Sequence, residues 1–159
     1  LGPGFDYFPQ EGSDLGEKMA NAFISSFTAG FSRALLIGTD IPDLPLEFLN
    51  QAFSALMDSD AVVGPASDGG YYLIGFRADT FFPAVFRQIP WSTVRVMDET
   101  LDKFAAAGRT VHKLPQWQDI DEPEDLSALV NRHKQSGRAW QTVDFLTRSS
   151  VMTRPYSAD

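Results

Sequence analysis

The sequence predicts an α/β fold with a mixed, mostly parallel sheet, and three observations carry that expectation. Residues 34–37 (Ala-Leu-Leu-Ile) are apolar without polar alternation and are followed by a helical pattern, which suits a central strand covered on both faces. Further strand-like runs stand at 61–64, 71–76 and 110–114, with amphipathic stretches around them. The connection 65–70 is too short for a parallel crossover, which takes about a dozen residues or more, so the runs on either side of it should pair antiparallel.

Taken in order, the elements have local causes. Asp14 with Glu17 three residues later resembles a capping pair. Leu15, Met19, Phe23 and Phe27 then recur at helical spacing until Gly30 ends the helix. After the strand at 34–37, Gly38 allows close approach, and Pro42 and Pro45 forbid continuation. Asp40 and Asp43 therefore fall just past the strand's carboxyl end, where open α/β sheets bind ligands. Asp43 is expected to cap the next helix, whose inner face is Leu46, Leu49, Phe53 and Leu56; that leaves Asp40 for function. Residues 79–89 read as a short helix broken by Pro83, and residues 90–93 as a loop. A helix through Val96, Thr100, Leu101 and Phe104 stops at Gly108. Pro123 opens a last helix facing inward through Leu126, Leu129 and Val130. From 137 the periodicity fades. Residues 1–137 are expected to form the domain and 138–159 a loosely attached tail carrying Arg138, Arg148 and Arg154.

Composition narrows the function. A formal charge of −8 opposes general affinity for nucleic acid, whose phosphates need clustered Lys and Arg. There are no cysteines, hence no disulfide, thiolate nucleophile or Cys-based zinc site. No apolar run approaches the roughly 18 residues of a membrane span, so a cytoplasmic protein is expected. Neither a Gly-Lys-Ser/Thr phosphate loop nor a Gly-x-Gly-x-x-Gly fingerprint occurs, and neither His112 nor His133 lies beside a plausible Ser nucleophile.

The chemistry concentrates in carboxylates. Asp40, Asp68 and the pair Asp119 and Asp121 each follow a strand, and parallel strands would bring all of them to one edge. Oxygen-only ligands suit a hard divalent cation, Mg2+ or Mn2+, with Asp40 and Asp121 as its candidate ligands and Asp40 and Asp68 as candidate catalytic groups. Asp119 and Asp121 can equally favour the amino end of the following helix. Gly69 and Gly70 would serve an ordinary hairpin turn, yet they also let a substrate lie against backbone beside Tyr71, which can stack on or bond a sugar or base. Gln10, Gly12 and Asp14 read either as a plain cap or as a loop that holds an anion or base edge. Trp91 stands in a loop near the same edge, as packing or as substrate contact.

Gln10-x-Gly12-x-Asp14-Leu15-Gly16-x-Lys18-Met19, Gly38-Thr39-Asp40-x-Pro42-x-Leu44, Gly64-Pro65-Ala66-x-Asp68-Gly69-Gly70-Tyr71-Tyr72, Trp91-Ser92-Thr93 and Asp119-Ile120-Asp121-x-Pro123-Glu124-Asp125-Leu126 together resemble the DUF2064 family of glycosyltransferases. The resemblance implies a three-layer, GT-A-like nucleotide-diphospho-sugar transferase fold. It also implies a Thr39-Asp40 element at the metal-bound diphosphate and Asp121 as a second acidic contact. Its partners would be a nucleotide or nucleotide-diphospho-sugar and a small-molecule acceptor. Lys18 stands where the family usually has Arg, which keeps the charge but loses a bidentate fork. The family's opening strand and basic Gly-containing nucleotide loop have no counterpart here. The chain is therefore expected to be the carboxyl-terminal portion of a longer protein, incomplete at the amino end and self-associating on its own. The alternative is a non-catalytic ligand-binding or regulatory module of the same fold.

Overall fold

The structure, a computed structural model, describes residues 4–149. Helix α1 (Leu15–Thr28) precedes strand β1 (Arg33–Ile37), helix α2 (Leu46–Ala55), strands β2 (Ala61–Pro65) and β3 (Tyr71–Arg77), and a single 3₁₀ turn (Pro83–Phe86). Helix α3 (Val96–Ala106), strand β4 (Val111–Lys113) and helices α4 (Pro123–Ser136) and α5 (Trp140–Arg148) complete it.

The strands lie in the order β1-β3-β2-β4. β3 is antiparallel to both β1 and β2, and only β2 with β4 is parallel, so the expectation of a mostly parallel sheet is overturned. The cause is the placement of β3. Its short connection to β2 makes it run backwards beside that strand, and its other edge pairs antiparallel with β1. β1, a strand type that suits cover on both faces, stands at an edge of the described sheet: Arg33 and Ile37 are exposed, and its interior is only half-buried. The direction of the other strands survives the correction. β1 and β2 both oppose β3, and β4 follows β2, so the carboxyl ends of all three meet at one edge.

Helices cover both faces. On one, Met19 and Phe23 of α1, Phe86 of the 3₁₀ turn and Phe104 of α3 enclose Ile74 and Phe76 of β3. Phe23 and Phe76 meet edge to face at 5.0 Å, a preferred aromatic geometry. On the other, Ala52 of α2 and Leu56, the residue that caps its carboxyl end, pack with Val62, Tyr72, Leu73 and Leu114. The helix expected within 79–89 is reduced to the 3₁₀ turn that Pro83 starts.

The stretch expected to be a tail contains α5, which buries Val143 and Leu146 against Leu129 of α4. Gly137 ends α4 in the left-handed conformation (φ 68°), so the chain turns back and the two helices pack. Arg154 lies outside the described residues.

The start of α4 carries a capping box between Glu122 and Asp125. The Asp125 carboxylate accepts from the backbone N–H of Glu122 (2.9 Å) and of Asp121 (3.1 Å) and from Gln118 Nε2 (2.6 Å). These bonds, the one from Glu122 foremost, hold its pKa below the ordinary aspartate value. Asp125→Ala is expected to cost about 1 kcal/mol in urea denaturation at neutral pH. A depressed folded pKa stabilises above the unfolded value, so the difference from wild type should close as the pH falls through the depressed one.

Candidate functional site

The shared strand edge opens into a cavity of about 340 Å³ whose lining includes Asp40, Asp68, Asp119 and Asp121 together with Leu15, Met19, Tyr71, Trp91 and Val96. Asp68, Asp119 and Asp121 each present a carboxylate oxygen, and these oxygens lie within 4.8 Å of one another. Among the described residues no Lys or Arg lines the cavity, and the acids repel one another. Burial raises the pKa of Asp119, and the charges of Asp68, Asp121 and Asp40 raise it further. Asp121 is raised by burial and then by Asp40, Asp68 and Asp125. A set of convergent carboxylates that resists its own ionisation is an acidic cluster capable of coordinating a divalent cation. Its oxygen-only donors fit a hard ion.

Local structure aims each acid. A Cβ at Gly38 would lie 2.5 Å from Asp40 Oδ1, so the carboxylate folds back over a position that only glycine leaves free. The Asp40 carbonyl accepts from the Ile120 N–H (2.9 Å), which joins the loop after β1 to the segment between Asp119 and Asp121. Asp68 Oδ1 accepts from the Gly70 N–H (2.8 Å) in an Asx turn. That turn is docked on α3: Gly69 has φ 92°, its carbonyl accepts from the Met97 N–H (3.0 Å), and a Cβ there would meet the Val94 carbonyl oxygen at 2.5 Å.

Of the residues singled out from the sequence, Asp40, Asp68, Gly70, Tyr71, Trp91 and Asp121 line the cavity. Asp40 is outside the trio whose oxygens converge and adds charge beside it. Thr39 and Gly69 adjoin lining residues, Gly69 being occupied by packing against Val94. Gln10, Gly12 and Asp14 are not among the cavity's lining residues; Asp14 caps α1 by accepting from the Glu17 N–H (2.8 Å). Tyr71 meets Trp91 edge to face at 6.5 Å, while its hydroxyl, like that of Thr100, is buried without a hydrogen-bond partner of ordinary geometry. Burial pushes the Tyr71 pKa far up, partly offset by Thr100, so this phenol stays protonated.

Sequence reasoning missed the pairing beneath the site. Asp43 was expected to cap α2, but α2 begins after Pro45 without any side-chain cap. The Asp43 carboxylate, 1% exposed, instead accepts from Arg132 Nε (2.6 Å) and Nη2 (3.3 Å) and from the Trp117 indole N–H (3.2 Å). Asp119, noted as one of a pair, belongs fully to the converging trio.

A crystal structure described as a "putative nucleotide-diphospho-sugar transferase" from Desulfovibrio desulfuricans G20 is similar to this chain. The identity is 46% and the TM-score 0.77, over 80% of this chain and 55% of that one. The chain thus spans about half the length of that solved structure. No curated protein matches. Among the described residues no helix is long and apolar enough to cross a membrane. The family model for "Uncharacterized protein conserved in bacteria (DUF2064)" matches residues 1–93, more than half of the 159, and the chain therefore belongs to the DUF2064 family.

Proposed function

We propose that the chain supplies the cation-binding and acceptor-facing part of a transferase whose donor is a nucleotide-diphospho-sugar or a nucleotide. The convergence of Asp68, Asp119 and Asp121 within 4.8 Å carries this reading. The similarity to the Desulfovibrio desulfuricans protein, whose description is "putative nucleotide-diphospho-sugar transferase", supports it. These three carboxylates would hold Mg2+ or Mn2+, and Asp40 would add charge at the loop nearest the donor. When bound, such a cation neutralises charge developing on a diphosphate leaving group. Asp68 has one oxygen engaged by Gly70, which fixes its direction and leaves the other for ligand or acceptor. Tyr71 and Trp91, an edge-to-face pair in the same lining, would offer aromatic surface to the face of a sugar or base.

Thermal shift measurements decide the reading. Mn2+ alone should raise the melting temperature, and a nucleoside diphosphate or its sugar should raise it further only when Mn2+ is present. Ligand at 100 times its dissociation constant stabilises by about 2.7 kcal/mol. No response to the metal, or to any diphosphate in its presence, would count against a transferase. The second reading is a non-catalytic ligand-binding module, favoured by the lack of Lys or Arg among the described residues that line the cavity. Metal-independent ligand binding, unaltered in Asp40→Asn, would select it.

A further inference from the structure

Three carboxylates that repel one another do not hold a converged geometry by themselves. Something outside the cluster must supply the restoring force, and the loops that carry the acids are in fact bound together behind it. Trp117 is the junction. Its backbone N–H donates to the Pro65 carbonyl (3.0 Å) and its carbonyl accepts from Ser67 Oγ (3.3 Å), which fixes the segment leading to Asp119 against the turn that carries Asp68. Its indole N–H donates to Asp43, which fixes the same segment against the loop that carries Asp40.

Arg132 closes the arrangement from α4. It grips Asp43 with two nitrogens, donates to Gln118 Oε1 through Nη1 (2.8 Å), and lies over the Trp117 ring at 5.7 Å. Gln118 in turn donates to Asp125 beside Asp121 (2.6 Å). The planar guanidinium fork meets a carboxylate, a carboxamide and an indole at once, which a lysine ammonium cannot reproduce.

We propose that Asp43 and Arg132 are positioning residues that set Asp119 and Asp121 against Asp68 for a divalent cation. The proposal rests on the cation reading given above. It requires neither residue to touch the ion: Arg132 acts through Trp117 and Gln118, and Asp43 through Trp117. Partners behind metal ligands typically govern affinity by about 10- to 100-fold.

The experiment is a Mn2+ titration of the 159-residue protein followed by electron paramagnetic resonance, with melting temperatures measured in parallel. Arg132→Lys keeps the charge and is expected to weaken Mn2+ binding about tenfold. Asp43→Leu combined with Arg132→Met replaces the buried pair by apolar groups. It should recover thermal stability relative to either single change while Mn2+ binding stays weak, because the bonds to Trp117 and Gln118 are not restored. Phe104→Leu, in the core on the other face of the sheet, should lower the melting temperature and leave Mn2+ affinity unchanged. Wild-type affinity in both Arg132→Lys and the double variant would overturn the positioning role and leave the cation reading standing. Failure of the wild type itself to bind Mn2+ would overturn the cation reading, and the proposal with it.

Discussion

Asp121→Asn is expected to raise the melting temperature of the metal-free protein at neutral pH and to abolish its stabilisation by Mn2+. Both halves follow from the same repulsion. The Asp121 pKa is raised in the folded state by burial and then by Asp40, Asp68 and Asp125, and among the described residues no hydrogen-bond partner of its side chain rewards ionisation. An aspartate with a raised folded pKa binds its proton more tightly folded than unfolded. Its ionisation therefore lowers stability as the pH rises from the ordinary aspartate value through the raised one, and the cost is complete at neutral pH. Asparagine removes that cost and nearly preserves volume, but it offers the cation a weak neutral oxygen in place of a charged one. The advantage of the variant should shrink as the pH falls through the same window, since wild-type Asp121 then becomes neutral as well. Thermal melts with and without Mn2+ across that window are the measurement. A metal-free variant less stable than wild type at neutral pH would show that Asp121 holds the fold rather than straining it, and undiminished Mn2+ stabilisation would remove it from the ligand set.

How far the sequence could be read depended on the range of the interaction concerned. The start of α1 was legible because Asp14 and Glu17 are three residues apart and the bond between them is local. The antiparallel turn of β2 into β3 followed from the length of one connection. That Asp40, Asp68, Asp119 and Asp121 would reach one edge was legible because three strands run the same way, whatever their order; which three would converge, leaving Asp40 beside them, was not. Order itself was not. An apolar run such as 34–37 records that its side chains avoid water and says nothing of which strand pairs beside it, so the pairing of β1 with β3 was not legible. The pairing of Asp43 with Arg132 joins positions 89 apart, and no local pattern distinguishes such an aspartate from a cap. α5 was missed because only Val143 and Leu146 are buried in it, too narrow a stripe to stand out. Tyr71 lines the cavity, but its hydroxyl is buried, and burial of a single atom leaves no mark in the sequence.

Gly64→Ala, one methyl group on β2, is expected to destabilise the protein by about 1–3 kcal/mol, the usual cost of overpacking a filled core. At roughly 2–4 °C per kcal/mol for a chain of this size, the melting temperature should fall by about 2–12 °C. A Cβ at Gly64 would stand 2.3 Å from Cζ of Tyr72, far inside contact distance, and the nearest atoms belong to a rigid ring rather than to the end of a flexible chain. The ring cannot simply swing clear. Tyr72 is 3% exposed, stacks on Phe48 at 6.5 Å, and its hydroxyl donates to the Pro115 carbonyl (2.9 Å). Moving it breaks that bond and disturbs the segment that runs from Pro115 through Trp117 to Asp119, so Mn2+ affinity should weaken along with stability. Tyr72→Phe keeps the ring and loses only the hydrogen bond, which should cost about 1 kcal/mol. The clash itself is isolated by a double-mutant cycle with Tyr72→Leu, where the smaller side chain leaves room for the new methyl. Gly64→Ala should then be markedly less costly than in the wild type, a coupling expected of residues in direct contact. If the two changes simply add, the glycine is required by the register shift between Gly64 and Pro65 rather than by the tyrosine ring packed against it.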